Sequence, residues 1–372
     1  MESHVIRILT AVPLCDGHDS AVCTVNQELI RAGIEVIYLG YHRSVADIVR
    51  AAVQEDVAAV GLSSYNGGHV EFFREVVQGL KAAGADDIGV FGGGGGTITP
   101  PDADQMMKDG TDKIFFAGTS FAEMTDYIKK QYARDLDCSS VDTSLTNHRA
   151  LGRLLSCVEE GGIGEPEEGK SDTVRVVGIT GPGGAGKTTL IDELVRNYLE
   201  QQPDARVAVL SHDPSAVSKG ALLGDRATMV YAQDDRVFMR SLGTRGREGG
   251  LSPATEPCLH WLAGKQANFD LVLVETVGTG QEALPFRDNL VDVKIMVMNT
   301  DYGARLQLQK ILMLEEADVV VANKADRPGS ETTVSELNNH LEMLGGDRTL
   351  VSTIASRHGD PGVAQLLERI LT

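Results

Sequence analysis

The stretch "TVRVVGITGPGGAGKTTL", residues 173–190, decides how the second half of this chain is read. A short β-rich apolar run leads into a glycine loop, and the loop into a helical pattern. "GPGGAGKTT" from Gly181 fits G-x-x-x-x-G-K-[ST] in the strand–loop–helix context that gives this motif meaning. Small residues at Gly181, Gly183, Gly184, Ala185 and Gly186 let successive N–H groups curl around phosphate oxygens, and the helix N-terminus adds positive potential. Lys187 is placed to reach the outer phosphates and act in catalysis, Thr188 to put its hydroxyl on Mg²⁺, and Thr189 to follow in the first helical turn. Further apolar runs at "ARVAVLS", "FDLVLVE", "VKIMVM" and "ADVVVAN" make this half an α/β domain.

A phosphate loop does not name the base. "NKAD", Asn323 to Asp326, follows the run "ADVVVA" and matches the guanine-reading motif of GTP-binding proteins. Asp326 can accept from the two N–H donors of guanine's edge, while Asn323 and Lys324 buttress the loop and cover the base. Asp213, Asp225 and Glu275 are candidate oxygen ligands for Mg²⁺. Gly278 and Gly280 would let backbone N–H groups approach a γ-phosphate, which makes 276–282 a candidate switch.

The first half repeats a β/α pattern: "VIRILTAV", "EVIYL", "VAAVGLS", "IGVFG" and "DKIFFA", with helical stretches between. An open parallel sheet of flavodoxin-like, Rossmann-like order 2-1-3-4-5 follows, with a ligand site beyond the carboxyl ends of the strands. Three small-residue loops meet at that edge: "CDGHDSA" from residue 15, "SSYNGGH" from 63 and "GGGGGTITPP" from 92. The glycine run is followed by "TITPP" rather than by a helix, and no acid sits at a strand end about 20 residues on, so a nicotinamide cofactor is disfavoured. His18 lies between Asp16 and Asp19. On its own it reads as a solvated or capping loop residue; a zinc site would need companion His or Cys ligands that the loop lacks.

The whole chain has 372 residues, 42% hydrophobic and 23% charged, with a net charge of −19. That is globular composition for two or three domains, and it argues against a nucleic-acid binder, which needs a basic face. The 5 cysteines are scattered without CxxC spacing, so neither a disulfide framework nor a thiolate metal site is expected. No secretory signal and no run of about 18 apolar residues is visible, so a cytoplasmic protein with no membrane contact is expected. The expected organisation is one domain over 1–136, a linker rich in Gly, Pro and acids over 137–172 that includes a helix at "NHRALGRLLSCVEE", and a second domain over 173–372.

The second half resembles the metallochaperone GTPases that serve adenosylcobalamin-dependent mutases, in "GITGPGGAGKTTL", "HDPS", "GALLGDR", "ETVGTGQ" and "NKAD". It departs from them at "EALPF", where relatives carry a Ser and then an acid. The first half is similar to the cobalamin-binding domain whose D-x-H-x-x-G motif supplies the lower axial ligand to cobalt. That resemblance implies His18 on cobalt with Asp16 behind it and Asp19 beside it, and a nucleotide tail in a groove of Ser63, Ser64, Tyr65 and Gly92, Gly93, Gly94, Gly95 and Gly96. Ala21 replaces the motif's last glycine, and Tyr65 departs from the S-x-L form of the second motif.

Both halves together, with "SSYNGGHVEFF", "YGARLQLQKILMLEEAD" and "TIASRHGDPGV", resemble the N-terminal half of the fused isobutyryl-CoA mutases. The resemblance implies a GTP-hydrolysing cobalamin chaperone joined to a mutase's cobalamin-binding subunit, with adenosylcobalamin and Mg²⁺ as cofactors and GTP as substrate. A homo-oligomer is expected. The resemblance implies that the 303–318 segment helps to couple nucleotide state to the mutase, with Gln307 and Lys310 the positions to test. The family's acyl-CoA barrel, of roughly 250 residues, has no counterpart here, so a separate large subunit supplies it or this sequence is part of a longer one. A cobalamin carrier or sensor with a regulatory GTPase, and a corrinoid methyl-transfer component, are the competing readings.

Overall fold

The computed structural model describes residues 5–13, 20–65, 67–143, 145, 147–215, 220–278, 286, 290–299, 313–345 and 348–372. The loop 14–19, with Asp16, His18 and Asp19, lies outside them, as do Gly280, Gln307 and Lys310. The chain divides into two compact units, residues 1–164 with 214–227, and residues 165–213 with 228–372.

In the first unit the elements run β1 (Arg7–Pro13), α1 (Ser20–Arg31), β2 (Glu35–Arg43), α2 (Val45–Gln54), β3 (Ala59–Ser63), α3 (His69–Ala82), β4 (Gly89–Gly93), α4 (Pro100–Lys108), β5 (Lys113–Phe115), α5 (Phe121–Tyr132) and α6 (His148–Glu159), with β8 (Leu222–Leu223) added from the later segment. The sheet order is β5-β4-β3-β1-β2-β8, and every pairing is parallel. This is the expected flavodoxin-like order with one strand more. Alternation along β1 sends Leu9 and Ala11 into one apolar layer and Ile8 into the other. The chain adds β2 on one side of β1 and then crosses to β3 on the other, so the topological switch point lies between β1 and β3.

Three expectations change here. The glycine run does lead to a helix: α4 begins at Pro100, with Thr99 as N-cap and Asp102 closing a capping box. Proline's fixed φ suits the first turn, so "TPP" starts the helix. Cys138 and Cys157 are joined in a disulfide across 19 residues, with Cα atoms 5.6 Å apart. Wide spacing hid this pair, because α6 is what brings the two cysteines together. Finally, α6 is not solvated: Leu151, Leu154, Leu155 and Val158 are buried, and a side chain at Gly152 would stand 2.6 Å from the Val53 carbonyl oxygen. The first unit accordingly runs to residue 164.

A buried ionic network ties this unit together. Arg226, fully buried, donates from Nε to Glu55 Oε1 (3.2 Å) and from Nη2 to Gln54 Oε1 (2.8 Å). Glu55 also faces Arg7 at 3.5 Å, and Arg7 pairs with Glu35 at 3.1 Å and Glu159 at 3.0 Å. Burial alone would lower the Arg7 pKa, but the carboxylates of Glu159, Glu35 and Glu55 outweigh it and hold the guanidinium charged. The network joins β1, β2, α2, α6 and the 214–227 segment.

In the second unit the elements run β6 (Arg175–Thr180), α7 (Lys187–Gln201), β7 (Val207–Asp213), β9 (Val237–Gly243), α8 (Thr255–Leu262), β10 (Leu271–Glu275), β11 (Val293–Asn299), α9 (Met313–Glu316), β12 (Val319–Asn323), α10 (Ser330–Leu344), β13 (Thr349–Thr353) and α11 (Pro361–Leu371). The order is β13-β12-β11-β6-β10-β7-β9, all parallel. Both faces are covered, which is why these strands read as continuous apolar runs. Among the described residues of the whole chain, no helix is long and apolar enough to cross a membrane.

Breaking the buried network should be costly. Arg226→Met leaves Glu55 charged and under-compensated, and the expected loss is about 3–5 kcal/mol of stability in denaturant or thermal unfolding of the full chain. A change below about 0.5 kcal/mol, the range of a neutral surface substitution, would contradict this account of the network.

Candidate functional site

In the second unit the phosphate loop follows β6, at the centre of the sheet. Gly186 caps α7 at φ +91°, a left-handed conformation that favours glycine, and a side chain there would meet Asn323 Nδ2 at 2.4 Å. Gly183 and Gly184 are exposed at the loop's crest, whereas Ala185 is buried. The Lys187 ammonium is inside the loop, donating to the carbonyls of Gly181 (3.1 Å) and Pro182 (3.5 Å). Thr189 is exposed one residue beyond Thr188.

Thr188 donates its hydroxyl to Glu275 Oε1 at 2.7 Å. Glu275 ends β10, the strand beside β6, and is 3% exposed. A hydroxyl and a carboxylate paired at the mouth of a phosphate loop form an oxygen donor set suited to Mg²⁺, which takes few protein ligands and keeps waters. Asp213 ends β7, the strand on the other side of β10. Asp225 opens a 3₁₀ turn in the segment 214–227, which belongs to the first unit. Gly278 packs directly on the loop: a Cβ there would stand 2.6 Å from Gly183 Cα, 2.7 Å from Gly183 N and 3.3 Å from Lys187 Nζ.

The "NKAD" segment leaves β12 and is locked to the same loop. Asn323 donates from Nδ2 to the Ala185 carbonyl at 2.9 Å, and its Oδ1 accepts from Thr353 Oγ1 and the Ala355 amide, both at 3.1 Å. Lys324 donates to the Gly184 carbonyl at 2.6 Å. Asp326 is exposed two residues on, at the rim. Thr353, Ala355 and Asn299, whose Nδ2 is 3.4 Å from the Gly184 carbonyl, were not singled out by sequence reasoning. Each ends a strand or opens a loop beside the motif, and no spacing rule points to them.

In the first unit a cavity of about 360 Å³ opens at the carboxyl ends of the strands, at the switch point. Thr10 on β1, Ser63 on β3 and Gly92–Gly95 border it, with α1 and Phe121 on its sides. Thr10 is 2% exposed, and its hydroxyl has no hydrogen-bond partner among the described residues, a buried polar atom that a ligand can satisfy.

The glycine run is explained from the protein side. A Cβ at Gly92 would meet the Leu62 carbonyl oxygen at 2.3 Å, at Gly93 that of Phe115 at 2.6 Å, at Gly94 that of Ser64 at 1.8 Å, and at Gly95 the Tyr65 ring at 2.1 Å. Ser64 is thus a buried floor for the loop and Tyr65 a half-exposed lid on Gly95, while Gly96, at φ +97°, turns toward α4. Gly278→Ala is the sharpest check on the nucleotide side. It should displace the phosphate loop and lower GTP hydrolysis by about 100-fold in a chain that still folds, the scale of a displaced site; an unchanged rate would contradict the packing described.

The B12-binding domain family matches residues 6–123, and the family described as methylmalonyl Co-A mutase-associated GTPase MeaB matches residues 166–371. The chain is 37% identical to a fused isobutyryl-CoA mutase of Geobacillus kaustophilus over 98% of its own length and 36% of that protein's. With the fused isobutyryl-CoA mutase of Cupriavidus metallidurans the identity is 38%, over 98% of this chain and 35% of that one. The chain therefore spans little more than a third of the length of these relatives. A putative GTPase of Pyrococcus abyssi is 35% identical over 60% of this chain and 71% of its own. With a phosphate loop locked to a guanine-type motif in one unit and a switch-point cavity in the other, the chain belongs to the MeaB family of mutase-associated GTPases and carries a B12-binding domain ahead of it.

Proposed function

We propose that the chain is a GTP-hydrolysing adenosylcobalamin chaperone joined to the cobalamin-binding part of an acyl-CoA mutase of the isobutyryl-CoA type. The observation that carries this reading is the presence on one chain of a nucleotide site with Asn323 and Lys324 seated on the phosphate loop and a switch-point cavity bordered by Thr10, Ser63 and the glycine run.

In this reading Lys187 and the loop amides would hold the phosphates, Thr188 and Glu275 would hold Mg²⁺ with Asp213 as a further candidate, and Asp326 would read the guanine edge. Phosphoryl transfer depends mainly on positioning and charge, which this arrangement supplies. In the same reading His18 would hold the cobalt, with Asp16 behind it and Asp19 in the same loop; Ser63 and Gly92–Gly95, which border the cavity, would face the cofactor's tail, with Ser64, Tyr65 and Gly96 beside them. When bound, adenosylcobalamin supplies the Co–C homolysis that begins a radical 1,2-rearrangement, and the protein positions it and excludes water. The barrel for acyl-CoA would come from a partner subunit or from the remainder of a longer chain, and the protein would act in the cytoplasm as a homo-oligomer.

The test is the absorption spectrum of the protein reconstituted with adenosylcobalamin. Wild type is expected to bind with the cofactor's own base displaced by His18, and His18→Ala to lose that spectrum and bind more weakly; identical spectra and affinities would overturn the histidine's role. Lys187→Ala is expected to abolish GTP hydrolysis while leaving cobalamin binding intact, as separate sites require. Loss of both in a folded variant would contradict two independent sites.

A further inference from the structure

His212, in the "HDPS" segment, is 2% exposed, and both of its ring nitrogens are held. Nδ1 lies 2.7 Å from the main-chain carbonyl oxygen of Glu275, and Nε2 lies 2.7 Å from Thr255 Oγ1. A carbonyl oxygen only accepts, so Nδ1 carries the hydrogen. Nε2 meets the Thr255 hydroxyl oxygen; that hydroxyl donates to the Ser252 carbonyl at 2.8 Å, and the same carbonyl takes the Thr255 amide at 3.1 Å. Thr255 is the first residue of α8, so one imidazole joins the ends of β7 and β10 to the start of a helix.

The position of this contact in the sheet gives it its consequence. The β7–β10 ladder stops at Leu210 and Val274, one residue short of Glu275. On its other edge β7 stays paired with β9 through His212 and Asp213, so the His212 backbone is fixed. The imidazole thus continues, by a side chain, a ladder that the backbone has abandoned. It does so where β10 presents Glu275 to Thr188, and next to Asp213 in the chain.

We propose that His212 is a positioning residue for the Mg²⁺ side of the nucleotide site: it fixes the end of β10, and with it the Glu275 carboxylate, against Asp213 of β7. This rests on the reading that the domain binds GTP with Mg²⁺. Mg²⁺ demands near-ideal octahedral geometry, so a carboxylate released at its backbone loses affinity for the ion. Groups that orient metal ligands without touching the metal are typically worth about 10–100-fold in metal affinity. The phosphate loop and "NKAD" are held by other contacts and do not depend on the imidazole.

The experiment measures the affinity of the full chain for a fluorescent, non-hydrolysable GTP analogue in excess Mg²⁺ and in EDTA, together with the Mg²⁺ concentration that gives half the enhancement. His212→Leu is expected to raise that Mg²⁺ concentration by about ten-fold or more and to leave affinity in EDTA unchanged. His212→Asn, whose amide can donate where Nδ1 does, is expected to recover most of the loss. Thr255→Val, which removes only the hydroxyl, should shift the Mg²⁺ requirement the same way by less, and Thr255→Ser should not; this pair decides the matter should His212→Leu fail to fold. Equal loss of affinity with and without Mg²⁺, or an unchanged Mg²⁺ requirement in folded variants, overturns the role of His212 alone. A wild-type chain whose affinity for the analogue ignores Mg²⁺ overturns the nucleotide-site reading as well.

Discussion

The side-chain amide of Asn323 occupies the space that any side chain at position 186 would need, 2.9 Å from the Ala185 carbonyl. That contact makes one object of two distant stretches of sequence. The phosphate loop has to be glycine at its last turn because the guanine-type motif is packed against it, and the motif's asparagine is oriented because Thr353 and the Ala355 amide hold its other end. Lys324 adds a second tie, to Gly184. The sheet order supplies the rest, since β12 and β6 are separated only by β11, and parallel strands deliver all their carboxyl-end loops to one edge.

The first unit uses the same topology differently. Its switch-point cavity is floored by glycines whose missing side chains are accounted for by carbonyls of Leu62, Phe115 and Ser64 pressing from behind. A glycine run at a strand end is therefore a packing requirement before it is a ligand signature. Its backbone can face a ligand because neighbouring backbone has already excluded side chains there. Behind this edge, the buried Arg226–Glu55–Arg7 network joins a segment that departs from the second unit's chain between β7 and β9 to the base of α2. Such networks are poor sources of net stability, but once one partner is removed the remaining charge is expensive to bury.

Local patterns carried much of this into the sequence. Most strands of both sheets are legible because buried parallel strands read as apolar runs, β8, β9 and β13 excepted, and the phosphate loop because its glycines, Lys187 and Thr188 fall at fixed spacing between a strand and a helix. What escaped depended on tertiary contact. Cys138 and Cys157 meet only because α6 folds back, and the 214–227 segment joins the first unit through Leu222, Leu223 and Arg226, residues that read like any loop within the second half. The helix after the glycine run was misjudged because "TITPP" looked like a breaker, when Thr99 and Pro100 are a cap and a first turn. His212 was visible inside a quoted motif, but its value lies in a carbonyl 63 residues away.

A GTPase placed on the same chain as a cobalamin site is explained best by coupling between them, and coupling is a free energy that both ligands must share. The direct measurement is the affinity of the full chain for adenosylcobalamin by equilibrium titration, in the presence of GDP and then of a non-hydrolysable GTP analogue, with nucleotide affinity measured reciprocally with and without the cobalamin. The account predicts that the two nucleotides give different cobalamin affinities, by about 5-fold or more, and that the same factor appears in the reverse titration. Identical cobalamin affinity in both nucleotide states, with both ligands demonstrably bound, would contradict the chaperone reading.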